Sequence, residues 1–548
     1  MRGSVLLSST VMLVVLCLCG GQSNDKCTVT IKLTEADSGR QIPGLIRAMD
    51  QNGKLVAMPG LLSRAHGLND RLARAQGGND PKKSIASWFV LPATVTVELP
   101  RTKISFEAFS GLETEMARKE IDLTGKPTAT VSIPLTLFHD ARKKGLRSAN
   151  THLHLMKISR EECDRYLLEI PKADRLDVLF LSYLERAIDD REYISNKYNA
   201  GDLAALTRKS GVVFGNGEEH RHNFGGGGQG YGHVMLLDIK KLILPVSIGP
   251  GIMKGAGSDG IPLQRGIDAA RRDDATIVWC HNEWGVEAVS NWLTGRIDAQ
   301  NIFDGGIHSS FKDSFYRYLN VGLKVPFSTG TDWFMYDFSR VYVRMDDELT
   351  PKNWLAALAK GKSYITNGPL LEFKIVDIRN ADVTRAEIGD TIAAKKPDRI
   401  RVIGNAVGRV DFKRIELIMN GQVLVTKNTK AVGNHFEAAL ESNIVSSGPF
   451  WLALRTPPPS VNNDKGLQQK TPLNELGREL FAHTSPIYIS VDGKSVFDRK
   501  IAQELLADIQ ANRKMISEQG KFDDEQARAR VLDVYDAGIA KLKIRIHQ

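Results

Sequence analysis

The chain has 548 residues, a formal net charge of +9 at pH 7, and 25% charged and 42% hydrophobic residues. This is the composition of an ordinary globular protein, and the length exceeds what one hydrophobic core usually serves, so three or four domains are expected. Lys and Arg are scattered rather than grouped in a stripe, and no nucleic-acid motif accompanies them. A solvated basic surface, rather than a nucleic-acid partner, accounts for the charge.

The first residues predict export. Arg2 precedes the apolar run "VLLSSTVMLVVLCLC", and the small and polar residues "GGQSND" follow. The run is too short and too early for a stable membrane span, and it indicates a signal peptide over residues 1–23, with cleavage near Ser23. A lipoprotein anchored through Cys19 is the alternative, although Leu18 stands where a small residue is preferred. The sequence therefore predicts a periplasmic or extracellular protein.

Residues 24–145 have the pattern of a β-sandwich. Short alternating runs such as "TVTVELP" and "ATVSIPLTLF" are separated by Gly, Pro and Asp, as is typical of that fold. The turn "DSGRQIPG" resembles carboxypeptidase-regulatory-like modules. After cleavage only Cys27, Cys163 and Cys280 remain, too few and too widely spaced for a disulfide framework.

From residue 146 to about residue 340, apolar runs alternate with helical patterns. Counting only the strands gives seven, and strands that alternate with helices imply parallel pairing. A closed (β/α) barrel is the economical way to protect that many strands, and an open doubly wound sheet is the alternative. We predict the barrel over residues 146–371.

The alternating pattern returns over residues 372–491, and residues 492–548 carry apolar side chains at helical spacing, as in "RKIAQELLADIQANRKM". These features predict a second β-domain and a helical C-terminal tail that packs on its own chain. The expected fold class is α/β: a seven-stranded barrel flanked by two β-sandwich-like domains, with a helical tail.

In a barrel of this kind the working residues lie at the C-terminal ends of the strands. Side chains two apart on a strand share a face, so the two imidazoles of "THLHL" would converge on one point. His, Glu and Asp are the residue types that coordinate divalent metals. The ends of the predicted strands carry such residues in this order: His152 and His154; Glu218, Glu219 and His220, with His222 beyond; His233, which opens the fourth strand; His281; and Asp332.

These motifs, in this order, resemble the PHP (polymerase and histidinol phosphatase) superfamily. The resemblance rests on the HxH pair, "GNGEE", the His that closes "ATIVWCH" and the Asp of "STGTD". The later phrase "TNGP" is similar to the carbaryl-hydrolase-like branch. The resemblance covers about residues 146 to 375 and implies a distorted seven-stranded (β/α) barrel that holds one to three metal ions.

Carried over to this chain, the resemblance makes His152, His154 and His281 metal ligands. It makes Glu219 a ligand that can bridge two ions, and Asp332 a ligand that can also steer the nucleophilic water. His233 stands where some family members keep another ligand. The second strand lacks the family's "TDH"-type pair, and the final Asp-x-His motif reads Asp332, Trp333, Phe334. We therefore expect one or two divalent ions, Zn, Mn or Fe, rather than three.

Three further residues are candidates around the metal or substrate. His220 and His222 have the opposite parity from Glu219, so they would contribute only if the chain turned after Glu219. Arg340 could hold an anionic substrate group, and a surface salt bridge is its alternative role.

A bound divalent ion lowers the pKa of coordinated water from about 15.7 to near 7, so hydrolysis is the expected reaction. The bond would be an ester, amide, carbamate or phosphoester in a small-molecule or polymer substrate. The catalytic candidates are Glu219 and Asp332, the latter as proton acceptor. The alternative is a catalytically degenerate barrel that recognises polymer or surface ligands. The missing family ligands favour this alternative, and the retained ones favour the enzyme.

Overall fold

The computed structural model describes residues 25–73, 84–186, 193–225, 229–282, 284–306, 310–311, 315–459 and 471–548. The signal peptide predicted over residues 1–23, with Cys19, lies outside these ranges. The described chain is mixed α/β, with several sheets and a helical C-terminal tail. Within these ranges, none of the helices combines the length and the apolar character that a membrane crossing requires.

The N-terminal part folds into two sheets that share one core. One sheet contains β1, β6 and β9, and the other contains β4, β5, β2, β7 and β8, with β3 paired to β2. Alternate side chains of β1, from Cys27 to Leu33, are buried against residues of both sheets. The elements are β1 (Lys26–Glu35), β2 (Gly44–Asp50), β3 (Leu55–Val56), β4 (Leu62–Ser63), α1 (Asp70–Ala73), β5 (Phe89–Leu91), β6 (Thr94–Pro100), β7 (Lys103–Phe109), β8 (Ala117–Asp122) and β9 (Thr128–Leu135).

In the central part strands alternate with helices. The elements are β10 (Leu146–His154), α2 (Arg160–Ala173), β11 (Val178–Tyr183), α3 (Ala200–Ser210), β12 (Val213–His222), β13 (Gly232–Leu237), β14 (Ser247–Ile248), α4 (Leu263–Arg272), β15 (Thr276–Trp279), α5 (Ala288–Leu293), β16 (Ala299–Asn301), α6 (Phe315–Asn320), β17 (Phe327–Ser328) and β18 (Asp332–Trp333). Pairing runs from β10 through β11, β12, β13, β15 and β16 to β17. The short strand β18, which follows β17 in the chain, pairs with β10.

The fourth strand of this series departs from the expected parallel pairing. β13 is antiparallel to both β12 and β15. The physical reason is the connection: residues 223–231 are all that separate β12 from β13, whereas a parallel crossover needs a dozen or more residues. Because β13 runs in the opposite direction, its first residues lie at the edge where the neighbouring parallel strands end.

The C-terminal β-region is joined to the central sheet rather than separated from it. Strand β19 is antiparallel to β10, and β20 pairs with both β19 and β30. The boundary predicted between residues 371 and 372 falls inside β21, so it lies within a sheet and not in a linker. The elements are β19 (Arg340–Arg344), α7 (Pro351–Ala359), β20 (Ser363–Thr366), β21 (Leu370–Val376), β22 (Thr384–Glu387), β23 (Thr391–Ala394), β24 (Arg399–Gly408), β25 (Arg414–Met419), β26 (Gln422–Asn428), β27 (Lys430–Val432), β28 (His435–Val445), β29 (Phe450–Arg455), β30 (Ala482–Thr484) and β31 (Ile487–Val491).

The tail consists of α8 (Arg499–Gln519) and α9 (Glu525–His547). Buried side chains of both helices, among them Leu505 and Tyr535, belong to the same apolar cluster as the central strands. Gly538 allows α9 to approach α5 closely, since a Cβ there would lie 2.5 Å from the Ser290 Oγ. The amphipathic pattern therefore serves packing within the chain.

Candidate metal centre

The six residues that the sequence proposed as ligands lie together at one edge of the central strands. Each is at most 6% exposed. They come from the end of β10, the body of β12, the start of β13, the second residue after the end of β15, and β18. The reversed direction of β13 is what places His233 among them. The set is His152, His154, Glu219, His233, His281 and Asp332.

The first group of ligand atoms surrounds the HxH pair. The Nε2 atoms of His152 and His154 are 3.0 Å apart. The His154 Nε2 is 3.1 Å from the Glu219 Oε2, and the His152 Nε2 is 3.4 Å from the Asp332 Oδ1. The ligand atoms of these four residues all lie within 4.8 Å of one another, so one ion could contact them all after small shifts.

The protonation of the two rings follows from their outer contacts. The His154 Nδ1 lies 3.0 Å from the Ser182 carbonyl oxygen, and the His152 Nδ1 lies 2.8 Å from the Asp304 Oδ2. Both oxygens only accept hydrogen bonds, so both Nδ1 atoms carry hydrogen, and each ring in its neutral form directs an Nε2 lone pair inward. The Asp332 Oδ1 also has no hydrogen-bond partner among the described residues. Acceptors that converge in this way fit a cation.

The second group shares Glu219 with the first. The Glu219 Oε1 is 2.9 Å from the His233 Nδ1 and 3.5 Å from the His281 Nε2. The His233 Nε2 lies 2.8 Å from the Asn223 Oδ1, so Nε2 donates there and Nδ1 presents its lone pair to the carboxylate. Glu219 thus turns one carboxylate oxygen to each group of ligand atoms.

Asp304 belongs to the site and was not among the residues proposed from the sequence. Its carboxylate accepts from the Nδ1 atoms of His152, at 2.8 Å, and His281, at 3.1 Å. It also accepts the backbone N–H of His281 at 2.8 Å. A carboxylate behind a metal-binding imidazole fixes the orientation and tautomer of the ring. The available signal was its position in "NIFDGG", directly after the sixth strand.

Burial and charge shift the pKa values in this cluster. Burial raises the pKa of Asp332 against the pull of His152 and His281. Burial also opposes ionisation of Glu219, but Arg221 and His233 nevertheless hold the Glu219 pKa well below its usual range. Burial lowers the pKa of His233 to about 4, so this ring is neutral at pH 7, as a metal ligand must be.

Burial also lowers the pKa of His154, whereas the other two imidazoles respond to the carboxylates around them. Burial by itself lowers the pKa of His281, but Asp304, together with Glu219 and Asp332, outweighs burial and raises this pKa well above the usual value. The pKa of His152 is likewise raised, because Asp332 and Asp304 outweigh burial. The carboxylates therefore stabilise positive charge at the position where the ligand atoms converge.

Some of the backbone at this edge is left-handed. His281 has φ of 55° and Asp332 has φ of 59°, values that non-glycine residues seldom adopt. Such conformations persist only where the surroundings hold them, and they cluster at functional sites. Here they turn both side chains toward Glu219.

The structure does not bring His220, His222 or Arg340 into the cluster. β12 continues through His222, so parity directs both histidines to the other face of the strand, where Glu218 accepts from His220 at 2.9 Å and Asp259 contacts His222 at 2.8 Å. Arg340 is 1% exposed and donates to the backbone carbonyls of Asp174 and Phe338. The surface salt bridge considered for Arg340 is therefore wrong, because the side chain is buried.

Two partly exposed tryptophans flank the ligand set. The Trp333 ring lies 5.3 Å from the ring of His154. The Trp284 ring lies 5.1 Å from that of His233 and 5.6 Å from that of His281. Both rings therefore pack against imidazoles of the ligand set.

No protein-family model and no curated protein matches this sequence. Among solved structures, a crystal structure of the β-glucuronidase of Parabacteroides merdae shares 10% identity with this chain, at a TM-score of 0.18. The match covers 82% of this chain and 60% of the β-glucuronidase chain. A likeness at this TM-score carries no argument about fold or function.

Proposed function

We propose that this protein is an exported, metal-dependent hydrolase with a PHP-type barrel. The observation that carries the proposal is the convergence of buried imidazole and carboxylate lone pairs on Glu219, with the Asp332 Oδ1 unpartnered among the described residues. The series of strand pairings from β10 to β17, with the pairing of β18 to β10, supports the barrel. The apolar run after Arg2 supports export.

The donor set fits a divalent ion. Imidazole nitrogen and carboxylate oxygen suit Zn, Mn and Fe alike. His152, His154, the Glu219 Oε2 and the Asp332 Oδ1 would hold one ion. The Glu219 Oε1, His233 and His281 would hold a second. This division is the reason to propose one or two ions rather than three.

A divalent ion, when bound, would lower the pKa of water and polarise the bond to be cleaved. The chain's own residues then have separate tasks. The carboxylate of Asp332 orients the attacking water and accepts its proton. Asp304 and the Ser182 carbonyl keep the imidazoles of His152 and His154 in the ligand tautomer. Trp284 and Trp333 limit the access of bulk water.

Reconstitution followed by a substrate screen tests the proposal. Mature protein stripped of metal would be loaded with Zn, Mn or Fe and offered p-nitrophenyl esters, carbamates, anilides and phosphoesters. We expect hydrolysis of at least one class only in loaded protein, and a loss of about 100-fold or more in Asp332→Asn, as for removal of a general base. Asp259→Asn, which removes a carboxylate from the other face of β12, is the matched control and should retain activity.

A fully loaded wild type that cleaves none of these bonds would contradict the proposal. It would favour the alternative in which the barrel binds polymer or surface ligands without cleaving them. A loaded Asp332→Asn variant as active as wild type would contradict the role given to Asp332.

A further inference from the structure

Arg221 is a positively charged residue beside the ligand set, and the proposed chemistry does not use it. It follows Glu219 by two residues on β12 and stands opposite His233 in the register with β13. Side chains two apart on a strand, and directly opposed across strands, share a face. Arg221 therefore faces the ligand set, and its Nη1 lies 3.6 Å from the Glu219 Oε2.

The guanidinium of Arg221 is buried, and one of its donor nitrogens has no hydrogen-bond partner among the described residues. The residue is 5% exposed. Its Nε lies 3.4 Å from the Ser247 Oγ, and its Nη2 has no hydrogen-bond partner among the described residues. A buried, unpaired donor on a charged group is costly. The planar N–H fork of arginine matches the paired oxygens of a phosphoryl or carboxylate group.

The net charge of the site also favours binding of an anion. Glu219, Asp304 and Asp332 are the carboxylates of the cluster, and Arg221 is its guanidinium. With neutral imidazoles this leaves two net negative charges, which one divalent ion balances. A second divalent ion leaves an excess of two positive charges in a buried site, which a bound anion would compensate.

We infer that Arg221 binds an oxyanion of the substrate, a phosphoryl or carboxylate group, beside the metal-binding residues. The site then selects substrates that carry negative charge next to the bond that is cleaved. This inference rests on the proposed function, since it assigns Arg221 to the same site. Ser247 accepts from the guanidinium at Nε, which leaves Nη2 for the oxyanion.

Anion binding tests this inference without any known substrate. Inorganic phosphate and acetate would each be titrated calorimetrically into metal-loaded wild type, Arg221→Gln and Arg221→Lys, with metal content measured on every sample. Arg265→Gln is the matched control, since Arg265 contacts His220 on the opposite face of β12. The two anions separate a phosphoryl from a carboxylate preference.

We expect wild type and Arg265→Gln to bind at least one anion, Arg221→Gln to lose 10-fold or more in affinity at unchanged metal content, and Arg221→Lys to lie between them. Equal anion affinity in wild type and in metal-replete Arg221→Gln would overturn the inference. So would loss of metal from both Arg221 variants, because Arg221 would then serve only to hold Glu219. A metal-loaded wild type that binds neither anion also overturns it and leaves the hydrolase proposal standing. A wild type that never binds metal sinks the proposed function instead.

Discussion

The two faces of strand β12 carry the same kinds of polar and charged residue but differ in whether those residues have hydrogen-bond partners. On the outer face, Glu218 accepts from His220 at 2.9 Å and from the backbone N–H of Ile243 at 2.8 Å, and His222 contacts Asp259 at 2.8 Å. On the inner face, Glu219 meets imidazole lone pairs, and Arg221 keeps an unpaired nitrogen. Both faces are buried, so what separates a structural cluster from a candidate site is whether each polar group has its partner.

This difference predicts what each face contributes. Removing a member of a satisfied pair leaves a buried group unpaired, and the cost appears in the free energy of unfolding. Removing a member of the inner set removes a ligand, and the cost appears in metal affinity and activity. Paired variants of the two faces therefore separate the two roles.

The largest difference in activity and bound metal is expected between variants of the neighbouring glutamates, Glu218 and Glu219. Glu219→Gln removes the carboxylate shared by both ligand groups, so hydrolysis should fall by about 1,000-fold or more and bound metal should drop, because a neutral amide is a poor ligand. Glu218→Gln should keep its metal and remain within a few-fold of wild-type activity. Elemental analysis and initial rates on the two proteins make the comparison. Equal metal content in both would remove the distinction between the faces.

A smaller loss of metal affinity is expected for Asp304, which contacts the ligand imidazoles from the side away from the metal. Asp304→Asn keeps the shape of the side chain but weakens its hold on the rings of His152 and His281. Residues that orient metal-binding histidines typically change metal affinity by about 10 to 100-fold when mutated. A competition titration with a chelating dye measures the change. The corresponding outer-face variant, Asp259→Asn, should bind metal as wild type does.

Metal should also stabilise the fold through the inner face alone. An ion that binds only the folded state adds about 2.7 kcal/mol when its free concentration is 100 times Kd. We expect the Tm of metal-free wild type to rise on addition of the ion, and that of a His152→Ala/His154→Ala variant to stay constant. A rise of the same size in both proteins would show that the ion binds elsewhere.

The smallest effect belongs to the outer face. His220→Gln breaks the contact with Glu218 and should reduce the free energy of unfolding by about 1–3 kcal/mol, the cost of an unsatisfied buried group. Metal content should not change. Urea unfolding followed by tryptophan fluorescence gives the first quantity and elemental analysis gives the second. Loss of metal from this variant would place His220 within the working site.

The sequence alone predicted most of the ligand set, because side-chain parity on a strand and the shared edge of strand ends depend only on backbone geometry. Parity on a strand put His152 and His154 on one face and separated Glu219 from His220 and His222. The rule that strand ends share an edge brought together residues as distant as His154 and Asp332. The structure places these residues together, and their binding of metal stays a prediction.

Other features had weaker signals. Asp304 follows β16, a strand of three residues, so no periodic pattern marked where that strand ends. Arg221 is not a metal-ligand residue type, although it shares the parity of Glu219. The antiparallel direction of β13 depended on the length of the connection before it, which alternating hydrophobicity does not report. The sheet that joins the central and C-terminal regions depends on the pairing of β20 with β19 and β30, a tertiary contact that local sequence does not reveal.

Metal binding by the inner cluster can be measured directly on the protein itself. Inductively coupled plasma mass spectrometry on the purified mature protein, after reconstitution with Zn, Mn or Fe, measures this directly, with His152→Ala/His154→Ala and the outer-face pair His220→Gln/His222→Gln alongside. We predict one or two equivalents in wild type and in the folded outer-face variant, with loss of at least one equivalent in the inner-face variant. A wild type that stays empty with all three metals would show that the inner cluster is not a metal site.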